Sequence, residues 1–232
     1  MPIHFQREIE KLKKDILTVG AMAELSVREA TLAIQSRDET LAQGVIEKDL
    51  KLDQMEVDVE ENCLKLLALY QPVAVDLRFI VAALKINNDL ERVGDLAVNI
   101  AERAIYLASV PQVDISFDFM DMSGKVQSML KNSLDALVNF NAPGARAVCG
   151  QDDVVDALNR EMYMLVPPAI VAHPEQAEAL IHMLSISRHL ERIADHATNI
   201  AEDVIYMIEG EVVRHRVEEY RDDHPGEDEL DT

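Results

Sequence analysis

The chain reads as all-α, two tandem repeated three-helix bundles, on three observations. Apolar residues recur at spacings of three and four along most of its 232 residues. Glycine and proline number only eight each, too few to punctuate an all-β chain with a turn every few residues. A stretch from Leu90 to Tyr106 returns 100 positions later as Leu190 to Tyr206, with 11 of 17 positions identical.

The first helix follows Ile9, Leu12, Ile16, Val19, Ala23, Val27, Ala30 and Ile34. Ser36-Arg37-Asp38-Glu39 interrupts it and supplies N-cap residues for the next helix. That second helix follows Leu41, Val45, Lys48, Leu52, Met55, Val59, Cys63 and Leu66 and ends near Gln71-Pro72. A third runs from Phe79 to Leu107 with strictly alternating spacings of four and three, the seam of a bundle helix. Pro111 and the loss of any seam mark a linker over 111–118. Three further helices are expected over roughly 119–140, 143–171 and 174–209, with Pro167-Pro168 kinking or ending the fifth. The seam Ala179, Met183, Ile186, Leu190, Ile193, Ala197, Ile200, Val204, Met207 repeats that of the third helix. The expected organisation is therefore one bundle over 1–110, a linker, a second bundle over 119–215, and an acidic, frayed tail over 216–232.

Composition narrows the function. Hydrophobic residues make up 48% of the chain, aromatics only 4%, and tryptophan is absent, so the core must be aliphatic. The formal net charge of −21 leaves no footprint for nucleic acid or an anionic membrane surface. It suits cations or basic partners instead. Two cysteines, Cys63 and Cys149, make no disulfide framework, and Cys63 falls on a seam position. With no secretory h-region and no apolar run long enough to span a bilayer, a soluble cytoplasmic protein is expected.

The chemistry lies in carboxylates. Glu91 and Asp95 are spaced i, i+4, and with Asn99 and Glu102 they fall within about 80° of helical arc. Glu191, Asp195, Asn199 and Glu202 repeat the set. The preceding helices carry Asp49 and Asp53, then Asp152 and Asp156. With 43 acids in the chain such pairs arise readily by composition, and a solvated acidic face is the plain reading. Yet each pair sits one residue beyond the apolar seam, and like charges at i, i+4 are unfavourable unless a cation neutralises them. Their recurrence in both units favours a bound hard cation held by oxygen: magnesium, calcium, manganese or iron. No histidine is preceded by glutamate at i−3, which argues against a ferritin-like redox centre. No nucleophile elbow, P-loop or dinucleotide fingerprint is present. His182, His189 and His196 form a heptad stripe in the second unit only, read as a surface or packing stripe or a pH-sensitive contact, away from the acids. Arg92 and Arg192 repeat beside the acids, for charge balance or for binding an anion or partner.

The phrases Leu90-Glu-Arg-Val-Gly-Asp and Leu190-Glu-Arg-Ile-Ala-Asp, the paired E(D)xxxD motifs, the Gln71-Pro72-x-x-x-Asp76-Leu77-Arg78 segment and the Tyr206-x-x-x-Gly210 segment together resemble the PhoU family, over about residues 5 to 215. The resemblance implies a non-enzymatic, cytoplasmic regulator, peripheral to the inner membrane through its partners. Such a protein restrains phosphate uptake and represses phosphate-starvation signalling. It links the ATPase subunit of the phosphate ABC transporter to a histidine sensor kinase. The resemblance also implies a homodimer without nucleic acid or membrane insertion. Carried over by position, it implies metal ligation by Asp49, Asp53, Glu91 and Asp95, and by Asp152, Asp156, Glu191 and Asp195, with Asn99, Glu102, Asn199 and Glu202 as secondary candidates. The ions would be divalent or trivalent: iron, zinc, manganese or magnesium. The second unit departs from the first in having Ala194 where the first has Gly94. A carboxylate-bridged metalloenzyme and a plain helical scaffold without metal stand as the alternatives.

Overall fold

A computed structural model describes residues 3–113 and 115–210. Residues 211–215 and the tail expected over 216–232 lie outside them. Seven α-helices follow one another: α1 Ile3–Ser36, α2 Glu39–Tyr70, α3 Ala74–Ser109, α4 Phe119–Asn139, α5 Ala142–Cys149, α6 Asp152–Ala172 and α7 Ala177–Glu209. A 3₁₀ turn, Pro174–Gln176, precedes α7, and no strand occurs among the described residues.

The helix ends follow local chemistry. Asp38 caps α2 by accepting from the Leu41 amide, and Asp118 caps α4 by accepting from Met120 and Asp121. Gln71 closes α2 in the left-handed conformation (φ 47°) just before Pro72. Gly210, at φ 77°, closes α7.

Two expectations need correction. The helix expected over 143–171 is two helices: the Gln151 amide bonds the Val148 carbonyl three residues back instead of continuing the four-residue ladder, so α5 ends at Cys149 before Asp152 starts α6. Pro167-Pro168 does not end α6, which continues to Ala172. The two missing amides would have bonded the carbonyls of Tyr163 and Met164, and both residues lie on the exposed side of the helix, where leaving a carbonyl without its helical partner costs little.

The seams become the core as their spacing requires. Leu90, Val93, Ala97 and Ile100 of α3 are fully buried, as are Leu190, Ile193, Ala197 and Ile200 of α7. The two units share one continuous apolar core with contributions from all seven helices. Helices α3 and α7 pack along each other at its centre. They run antiparallel: Arg78 near the start of α3 reaches Met207 near the end of α7, and Tyr106 near the end of α3 stacks on His182 near the start of α7. Helices α1 and α4 also cross between the units, tied by a hydrogen bond from Ser123 Oγ to Thr31 Oγ1. Val113, Ile115 and Phe117 in the connecting segment pack on a smaller cluster of Met162, Val166 and Leu180.

Candidate functional site

Helices α2 and α3 bring the four acids of the first unit into one electrostatic neighbourhood. The Asp49 carboxyl is pushed from 3.8 up to about 6, first by burial and then by Asp53, Asp95 and Glu91. Burial and then Asp95 also raise Glu91, with Arg92 partly offsetting them. In the second unit α6 and α7 repeat the arrangement. Asp152 is pushed from 3.8 to about 6 by burial, then by Asp195, Asp156, Asp153 and Glu191. Glu191 is raised by burial, Asp195 and Asp156, and Asp195 by burial and Asp156. Each acid therefore sits among its repeat partners, and the repulsion between them is only partly offset, by Arg92 in the first unit and by Arg188 and Arg192 in the second. Asp152 Oδ1 is buried without a hydrogen-bond partner.

The donor chemistry fits a hard cation: oxygen only, excess negative charge, and one orphaned buried oxygen. The approach is incomplete. Among the described residues no three acidic, imidazole or thiol groups stand together as a set that could hold a metal ion. The expectation that the carboxylates already lie close enough to share a cation is therefore not met; side-chain rotation would have to close the set.

The secondary candidates divide. Asn99 turns its amide back to the Asp95 carbonyl, and Glu102 faces Arg103 at 3.5 Å, so neither joins the first cluster. Asn199 reaches across the unit boundary to Asp89 at 3.5 Å. Glu202 and Asp152 both help burial push the Cys149 thiol up to about 12. Cys63 is buried, as its seam position requires, and its thiol is likewise pushed up to about 12.

Gly94 has a packing role that Ala194 does not share. A Cβ placed on Gly94 would stand 2.9 Å from Asp49 Oδ1 and 3.1 Å from Leu52, so the missing methyl is what lets α2 lay Asp49 against α3. Arg92 balances charge locally, 3.3 Å from Asp95 and 3.4 Å from Glu91.

The histidine stripe is not away from acids: it faces α3 along the boundary between units. His196 Nδ1 lies 2.7 Å from Asp89 Oδ1, and His182 stacks on Tyr106 with centroids 4.1 Å apart. His189 buries both ring nitrogens without a partner, and burial, then Arg103, Arg192 and Arg188, lower its pKa to about 4. Residue types and spacing also miss Glu56. It lies on the acid side of α2, is raised by burial, Glu60, Glu91 and Asp53, and is held by the Asn87 amide at 3.0 Å. The second unit replaces that pair with Ser187 donating to Asn159 at 2.9 Å. The two clusters are therefore related but not equal, and a DxxxDxxE reading of α2 would have found the difference.

The PhoU domain family matches residues 16–104 and 119–204, one copy per carboxylate cluster. The chain belongs to the PhoU family. It is 37% identical over 210 residues to the phosphate-specific transport system accessory protein PhoU homologue of Clostridium acetobutylicum, covering 90% of this chain and 96% of that protein. The Aquifex aeolicus PhoU homologue is 38% identical, covering 90% and 95%. The crystal structure of PhoU from Pseudomonas aeruginosa has a TM-score of 0.84 at 35% identity, covering 89% of this chain and all of that one. The phosphate transport system regulatory protein PhoU from Streptococcus pneumoniae has a TM-score of 0.80 at 30% identity, covering 90% and 99%. The PhoU resemblance read from the motifs thus extends over both halves of the fold.

Proposed function

We propose that this chain is a non-enzymatic regulatory adaptor of phosphate-specific transport. It restrains phosphate uptake and represses starvation signalling by connecting the transporter's ATPase subunit to a histidine sensor kinase. The observation that supports this most is the doubled PhoU domain over nearly the whole chain, shared with relatives named as accessory proteins of that transport system. No described helix is long and apolar enough to cross a membrane. The same adaptor reading has the protein act in the cytoplasm, as a homodimer recruited to the membrane by its partner. An adaptor acts by differential affinity for two partner states and needs only a few kcal/mol of coupling.

Metal ions belong to the same proposal. Asp49, Asp53, Glu91 and Asp95 would hold one group, and Asp152, Asp156, Glu191 and Asp195 another. Bound cations would supply the positive charge that Arg92 in the first cluster and Arg188 and Arg192 beside the second only partly provide. These residues would then hold α2 against α3 and α6 against α7 without mutual repulsion, giving the binding face a defined shape. Iron, zinc, manganese and magnesium are the candidates.

The test is affinity capture of the tagged chain from phosphate-replete cells, blotted for the transporter ATPase and the sensor kinase, beside starvation-gene expression in a deletion strain. Retention of the ATPase and constitutive starvation genes are expected. Normal repression in the deletion strain would refute the reading. Elemental analysis of wild type and of the Glu91→Gln/Asp95→Asn/Glu191→Gln/Asp195→Asn variant tests the metal component separately.

A further inference from the structure

Helix α2 carries an apolar stripe that nothing in the described structure covers. Leu50 is 75% exposed, Val57 45% and Leu64 53%. Their heptad spacing places them within about 40° of arc along about 21 Å of helix. Singly exposed leucines are ordinary, but three in register on one helix are a helix-packing surface. Directly beside the stripe lie the exposed Asp53 and Glu60, with Glu56 further round where it meets Asn87 of α3, and no base among them on α2. On the other flank Glu61 is matched only by Lys65, at 2.9 Å.

We infer that this face of α2 docks an amphipathic helix of a partner protein, one whose apolar stripe is flanked by lysine or arginine. Charge decides the occupant. A second copy packed through this same face would set Asp53 and Glu60 against their own counterparts, and like-charge juxtaposition opposes that contact. An anionic bilayer would be repelled for the same reason. A basic amphipathic helix satisfies both the apolar stripe and its acidic flank, in the helix-on-helix mode read through residues one and two turns apart. The inference rests on the adaptor reading only in taking partner binding as the mode of action.

The probe is a helical peptide of about 18 residues with leucines along one face and lysines elsewhere, long enough to cover the stripe. Its control carries glutamate for lysine. Both are titrated into the full chain with chelator present, and the contact is mapped by hydrogen exchange. The lysine peptide should saturate at one per chain and slow exchange around residues 50–64. Its affinity should fall about tenfold or more in the Leu50→Ser/Val57→Ser/Leu64→Ser variant, roughly 1.4 kcal/mol. It should also weaken as salt rises to about 0.5 M. The glutamate peptide should not bind. If the triple variant loses helicity, Glu60→Lys carries the test and should weaken the lysine peptide. Undiminished binding to a folded variant, equal binding of both peptides, protection confined to another face, or self-association abolished by the serine substitutions would each overturn the inference. Failure here leaves capture of the transporter ATPase standing as a separate result.

Discussion

Neutralising Asp49 and Asp152 should stabilise the metal-free protein. Each carboxyl stands near pKa 6 in the fold against 3.8 for a free one, because burial and the neighbouring acids oppose its charge. The folded state therefore holds these protons more tightly than the unfolded state. Stability is lost as pH rises from about 4 through about 6, and the full penalty is present at pH 7 and above. A shift of about two units corresponds to roughly 3 kcal/mol at one site. Both groups are only partly buried, and solvent screening reduces that to about 1.5 kcal/mol each. Asp49→Asn/Asp152→Asn should then gain about 3 kcal/mol at pH 7.5 in chelator, or roughly 6–12 °C in Tm for a chain of this size. His189 tilts the other way, since its lowered pKa makes the fold lose stability as pH falls from 6.5 toward about 4. The measurement is therefore the difference in urea-unfolding free energy between variant and wild type at several pH values. The gain should shrink toward zero near pH 4. With saturating Mn²⁺ or Fe²⁺ the order should reverse, because ligand binding stabilises only the chain that retains its ligands. A variant no more stable than wild type in chelator at pH 7.5 would refute the claim that these acids repel one another in the fold.

Three further outcomes follow from particular contacts. Lys85 pairs at 2.9 Å with Asp203, which is only 2% exposed, so Lys85→Ala should destabilise by about 2 kcal/mol, less than a fully buried pair because the ammonium is partly in water; chemical denaturation reads this, and faster exchange should appear along α3 and α7. Gly94→Ala should displace Asp49 with little change in Tm, since the gain in helix propensity of about 1 kcal/mol offsets the crowding; metal titration should show weaker binding at the first cluster, whereas Ala194→Gly leaves the second unchanged. His189→Leu should raise stability by about 1 kcal/mol by removing two buried ring nitrogens that lack partners, and should flatten the acid limb of the stability profile.

The bundle class, the seams and the duplicated carboxylate pairs were legible without coordinates, because each is a helical regularity. A period of 3.6 residues decides which side chains share a face, so Leu90, Val93 and Ala97 declared themselves core, and Glu91 and Asp95 declared themselves neighbours. Capping at Asp38 and termination at Gln71-Pro72 are equally local. The break at Gly150 was not legible, since a single glycine interrupts or continues a helix according to what packs around it. The exposed end of α6 tolerated two prolines for a similar reason: the carbonyls they leave without helical partners belong to Tyr163 and Met164, both on the solvent side.

What the sequence determined by itself was therefore helix content, repeat, and which acids share a face. What only tertiary structure decided was how helices meet: the antiparallel packing of α3 on α7, the pairing of Lys85 with Asp203 and of His196 with Asp89, and the burial of His189 among arginines. It also decided that the four acids of each unit crowd electrostatically without closing into a ready metal set. Most of these contacts join residues far apart in sequence on two different helices, and they depend on the rotamers of side chains from both. Local periodicity sets the direction of a side chain from its own axis, but the distance to a partner depends on how the shared core packs one axis against another.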